Sequence, residues 1–133
     1  MNLLGEPAAP ILWIREGFAV QADGRCRDHT IHELAAEFLR RGELPKARDL
    51  IQRFSEQGEM RAYLGSGSLV GFLVESFGIA KIKQLWQRGG AEIEDALGMK
   101  VEVIDRRWRT FLGKFQARMS EEEWQRVIDV GCG

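Results

Sequence analysis

The chain has 133 residues, of which 44% are hydrophobic and 29% charged, with a net charge of −1. These values describe one ordinary globular domain with a modest core, and they give no electrostatic case for nucleic acid or an anionic membrane. No apolar run approaches the roughly 20 residues needed to span a bilayer.

The N-terminus, Met1 to Pro7, has no basic start and no long apolar stretch, so it does not read as a signal peptide. The sequence assigns no compartment. Cys26 and Cys132 are the only cysteines and make no disulfide framework. The expectation is two separate thiols, with their pairing as the open alternative.

Residues 1–10 read as a leading loop. A first helix is predicted from Ile11 to Ala22, ending at Asp23-Gly24. On it, Glu16 has Leu12, Trp13, Ala19 and Val20 as its i±3 and i±4 neighbours, all apolar. A carboxylate in such a stripe must be paired, hydrogen-bonded, protonated or metal-bound, so something is expected to face Glu16. The bland alternative is a solvated helix end, or pairing with an arginine.

Thr30-Ile31-His32-Glu33 has the capping-box pattern and opens a second helix to about Arg41, closed by Gly42. Pro45 reads as the first residue of a short helix to Phe54, and Ser55 to Gly58 as loop. The fourth helix, Glu59 to Phe77, is apolar on nearly all sides, and its polar positions are small: Gly65, Ser66, Gly67, Ser68 and Gly71. It is therefore expected at the centre, with small residues admitting a close neighbour. Further helices are predicted over Ile79–Arg88, Ala91–Leu97 and Val101–Ala117. A last one is opened by the capping pattern Ser120-Glu121-Glu122-Glu123 and runs through Val130. Strand signals are nearly absent. The fold class is all-α: a bundle of about seven to eight helices around residues 59–77.

His29, His32 and Glu33 invite a metal reading, since zinc peptidases of the H-E-x-x-H type place two histidines one turn apart. Here the second position is Ala36, and a solvated helix N-terminus is the favoured reading. The tail Arg126–Gly133 resembles the first motif of S-adenosylmethionine-dependent methyltransferases, in which a strand enters a glycine-rich turn. The motif needs a sheet and a following helix, so it carries little weight. Tyr63 reads by default as a boundary tyrosine, and functionally as a phenol that donates to an oxyanion.

Three blocks in order resemble the second half of a gluzincin-type, peptidase-MA-like zinc metallopeptidase. Pro10-Ile11-Leu12-Trp13-Ile14-Arg15-Glu16-Gly17-Phe18-Ala19 resembles W-[LI]-x-E-G-[LFI]-A, whose glutamate is the third zinc ligand. Ala62 to Gly78 resembles Y-x-x-x-x-S-x-V-x-[YF]-L-x-x-x-[YF]-G. Lys81 to Leu85, Glu94 to Met99 and Val101 to Leu112 with Trp108 resemble the family's tail. The likeness covers about residues 1–112 and leaves 113–133 as a C-terminal extension.

The resemblance implies that Glu16 is a zinc ligand and that Tyr63 stabilises a tetrahedral intermediate, with a peptide as substrate. It also implies that Met1 to Pro10 correspond to the loop leading out of the H-E-x-x-H helix, so that Met1 would be internal to a longer parent. The sequence departs from the family at the decisive point: no H-E-x-x-H precedes Glu16. The expectation is a chain that binds no zinc tightly on its own, is inactive alone, and has as partner a missing N-terminal catalytic segment or another protein. An exposed apolar patch is expected where that segment docks. The competing expectation is a non-catalytic helical interaction module, for which zinc is irrelevant.

Overall fold

The computed structural model describes residues 12–88 and 92–132. The expectations for residues 1–10, for Ile11 and Ala91 as helix starts, and for Gly89-Gly90 as a helix stop lie outside them. Among the described residues there are eight α-helices: α1 (Leu12–Asp23), α2 (Ile31–Arg40), α3 (Ala47–Gln52), α4 (Glu59–Phe77), α5 (Ile79–Gln87), α6 (Ile93–Leu97), α7 (Val101–Leu112) and α8 (Glu121–Val130). Between α1 and α2 two short antiparallel strands, β1 (Arg25–Cys26) and β2 (His29–Thr30), pair Arg25 with Thr30 and Cys26 with His29. The all-α expectation holds at this level, and the hairpin is a two-rung exception. Its tight turn puts Arg27 at φ +55°, a left-handed position uncommon for a residue with a side chain.

α4 is the centre. Every residue from Leu64 to Leu73 is buried, and α1, α2, α3, α5 and α7 all pack on it, α1 the most extensively. The small residues explain the intimacy of the α1/α4 seam. A Cβ on Gly17 would stand 2.6 Å from the Ser66 carbonyl oxygen and 2.6 Å from Val70 Cγ2. One on Gly67 would stand 2.5 Å from Val20 Cγ1, and one on Gly71 2.6 Å from Gln21 Oε1. The seam thus closes to backbone distance because three glycines remove the side chains that would hold it open.

The helix ends show where local signals suffice. The Thr30 box is formed in both directions: Glu33 N–H donates to Thr30 Oγ1 at 3.2 Å and Thr30 N–H to Glu33 Oε1 at 2.8 Å. Ser120 Oγ accepts from Glu123 N–H at 3.1 Å. Several boundaries differ from expectation. α3 starts at Ala47 rather than Pro45, because Asp105 Oδ1 of α7 accepts the Ala47 N–H at 2.7 Å while Arg109 takes the carbonyls of Leu44 and Pro45. Its last residues detach into a separate 3₁₀ turn, Phe54–Glu56. α7 stops at Leu112 rather than Ala117, as the chain tightens into i to i+3 bonds at Gly113, Lys114 and Phe115.

The cysteine expectation is corrected. Cys26 and Cys132 are joined in a disulfide across a sequence separation of 106. Packing α8 beside the hairpin brings their Cα atoms to 4.7 Å, within the range a disulfide bridges. The methyltransferase likeness is corrected too: Arg126 to Val130, which that motif needs as strand, is helix. Its capping signal at Ser120 and its buried Trp124 and Val127, three apart, are helical features.

Candidate functional site

The apolar stripe on α1 predicts a partner facing Glu16. The buried positions of α1 are Trp13, Ile14 and Gly17, which seat the helix on α4 and turn Glu16 to the rim. Its side chain is 27% exposed, and the group beside it is the Arg15 guanidinium at 3.6 Å, itself 44% exposed. A wetted pair of this kind contributes on the order of 1 kcal/mol or less. The apolar neighbours are an unreliable guide because Ala19 is exposed and Leu12 and Val20 are only partly buried.

Tyr63 lies near the start of α4. Its ring meets Phe54 edge to face at a centroid distance of 5.5 Å. It lines an open cleft of about 240 Å³ with Val20, Arg25, Ile31, Met60 and Cys132. Glu16 is not among the residues lining that cleft, whereas Val20, one turn further along α1, is.

The histidines are not solvated, which corrects the favoured reading of the α2 start. The His29 side chain is 12% exposed and lies between Glu123 Oε2 at 3.4 Å and Glu33 Oε1 at 3.9 Å. His32 reaches α4: its Nδ1 is 2.8 Å from Ser68 Oγ. Ser68 is fully buried and also accepts the Trp108 indole N–H at 3.0 Å. The one hydroxyl thus meets both the indole N–H and Nδ1, with the donor and acceptor roles of Oγ and Nδ1 set by the histidine tautomer. The ring packs against Phe111 and Phe115 at 4.9 and 5.1 Å.

Burial pushes the His32 pKa below its ordinary 6.5. Glu75 opposes that shift, and Lys114 adds to it. A neutral histidine beside a serine is the arrangement of an activated nucleophile. Here the hydroxyl has no solvent face and already serves Trp108, so the trio ties α2, α4 and α7 together rather than offering an attacking oxygen. Sequence reasoning missed this network. The signal was present: a serine inside a fully apolar helix needs a polar partner.

Zinc would need converging donors. Among the described residues no group of three or more His, Cys, Asp and Glu side chains converges. His29 and His32 are committed to Glu123 and Ser68, and Glu16 offers one carboxylate. The described residues alone therefore do not fit a zinc site, which needs three protein ligands for catalysis. Beside Glu16, Trp13 is fully buried, and its indole N–H finds no partner among the described residues. Ser66 Oγ and Gln21 Oε1 are likewise unpartnered among them.

Two large side chains stay exposed on α5, Ile79 at 48% and Trp86 at 42%. Phe18 of α1 meets Trp86 edge to face at 5.9 Å. Phe18 follows Glu16 by two positions, about 200° around a helix, so this apolar patch lies on the flank of α1 away from Glu16. No helix among the described residues is long and apolar enough to cross a membrane. No family model matches the chain, and neither the curated proteins nor the solved structures contain a match to it.

Proposed function

We propose that this chain is the C-terminal helical portion of a zinc metallopeptidase-like protein, with Glu16 as the third zinc ligand once a segment bearing H-E-x-x-H is supplied from outside this sequence. The observation that carries the reading is physical contact between the three family-like blocks. Gly17 of the first abuts Ser66 and Val70 of the second, and Trp108 of the third donates to Ser68 of the second. Residues that the resemblance picks out from distant parts of the chain thus meet each other across α4. The partly exposed Glu16 carboxylate is open to a ligand from another segment. Tyr63 has the part of oxyanion donor in this reading on its helix position alone. The described residues do not complete a metal site, so by themselves they support no catalytic step.

The test begins with the DNA upstream of Met1, read in frame. An H-E-x-x-H run there is expected, and the longer protein should then hold about one zinc per chain, measured by elemental mass spectrometry, and cleave peptides. Glu16→Gln in that protein should lose the metal. In the chain as given, Glu16→Ala should change stability by less than about 0.5 kcal/mol. A stop codon close upstream with no H-E-x-x-H refutes the catalytic reading. The second reading, a helical interaction module indifferent to zinc, then leads, and the exposed Trp86 and Ile79 on α5 are the features that favour it.

A further inference from the structure

α8 is weakly rooted by its own packing. Only Trp124 and Val127 are buried along its length. Trp124 meets Phe38 edge to face at 4.7 Å, with the Arg41 guanidinium over its ring at 4.7 Å. The Arg41–Glu121 pair that joins α8 to the end of α2 is at the surface, where ion pairs stabilise little. Three further attachments run to the hairpin and follow one another closely: His29 to Glu123, Arg27 Nε to the Gly131 carbonyl at 2.9 Å, and Cys26 to Cys132. Cys26 is fully buried while Cys132 is exposed, so the bond runs from the core to a residue at the surface.

We propose that Cys26–Cys132 is a redox latch that fastens α8 to the bundle, and that the chain matures where thiols are oxidised. The latch does not depend on the metallopeptidase reading. A long-range disulfide joining surface elements is a feature of chains folded outside a reducing cytosol. In closing the latch, the two cysteine thiols form one S–S bond. Their two protons and two electrons pass to a protein or small-molecule disulfide, whose own S–S bond breaks to two thiols. Reduction reverses this and leaves α8 held by Trp124, Val127, surface pairs and the noncovalent contacts of Glu123 with His29 and of Gly131 with Arg27. Its release would uncover Phe38, on which Trp124 rests, and the Met60 side of the cleft beside Tyr63, where Met60 Sδ lies close to Gly131.

The chain is made in an oxidising bacterial compartment, and its thiols are alkylated under denaturing conditions without reductant. The expected result is no labelled cysteine before reduction and two after. Hydrogen exchange is then compared in the oxidised and reduced chain. Amides of residues 121–130 should exchange about tenfold faster or more after reduction, while those of residues 64–73 keep their protection. The double variant Cys26→Ser/Cys132→Ser should show the reduced pattern without any reductant. Two labelled cysteines before reduction overturn the proposal, as does unchanged protection of α8 in the reduced chain and the variant. Loss of protection throughout α4 in both also overturns it, since the bond would then hold the whole bundle rather than one helix.

Discussion

Gly17→Ala should destabilise the protein although it adds a good helix former. In an exposed helix interior, Gly to Ala gains about 0.8–1 kcal/mol. Here the new methyl would stand 2.6 Å from the Ser66 carbonyl oxygen and 2.6 Å from Val70 Cγ2, with the Ser66 carbonyl carbon at 3.0 Å. Ordinary contact begins at 3.4 Å, so α1 must lift off α4 by several tenths of an ångström or more. The Ser66 contact is backbone on the α4 side, where no flexible side chain can give way. Separation forfeits dispersion all along the most extensive helix pair in the fold, and overpacking of this kind costs about 1–3 kcal/mol. We expect a net loss of up to about 2 kcal/mol after the propensity gain. For 133 residues an unfolding entropy near 2.1 cal/mol/K per residue converts this to a Tm lower by up to about 7 °C.

The paired control is Gly65→Ala in α4, where the methyl would meet Leu50 at 3.4 and 3.6 Å, which is ordinary contact. That substitution should be neutral or stabilise by up to about 1 kcal/mol. Urea titration followed by circular dichroism reads both. If Gly17→Ala is as stable as Gly65→Ala, the close α1/α4 crossing is wrong.

The buried serine and histidine give two further expectations. Ser68→Ala strands the Trp108 N–H and the His32 ring nitrogen, and should cost about 2–3 kcal/mol in urea titration; Trp108→Phe, which leaves the Ser68–His32 bond intact, should cost less than Ser68→Ala through its polar term. A negligible effect of Ser68→Ala would mean that the trio does not hold α2 to α4. Because burial holds the folded pKa of His32 below 6.5, the unfolded chain binds this proton more readily than the folded one. The His32 contribution is therefore complete above about pH 6.5 and declines as pH falls through 6.5 towards the folded pKa. His32→Gln should flatten that part of the stability profile, and an unaltered slope between about pH 7 and 5 would show that His32 is not its source.

Local signals carried most of the fold. The capping residues Thr30 and Ser120 open helices where the sequence places them, and the apolar helix from Glu59 to Phe77 is central for the reason its composition gives. What the sequence hid was decided by distant parts of the chain. The start of α3 is set by Asp105, far along the chain on α7. The apolar neighbours of Glu16 overstate its burial because four such neighbours on a helix do not say which of them face a partner. The two cysteines could not be paired by inspection, since only the docking of α8 beside the hairpin makes them neighbours. His32 has the sequence of a helix-terminal surface residue, and it is Ser68 of α4 and the rings of Phe111 and Phe115 that enclose it.

The covalent tie between Cys26 and Cys132 also divides the molecule mechanically. It closes a ring that contains every described helix except α1, which lies outside it. Tension applied at α1 and beyond Cys132 would bypass the ring altogether. It would peel α1 from α4 along the glycine seam and then stop, with 106 residues of separation held in reserve. At about 3.5 Å per residue that reserve is on the order of 370 Å of contour length. A reducing agent would add this length in a single further extension, so in force spectroscopy the oxidised protein should behave as a short tether and the reduced one as a long one.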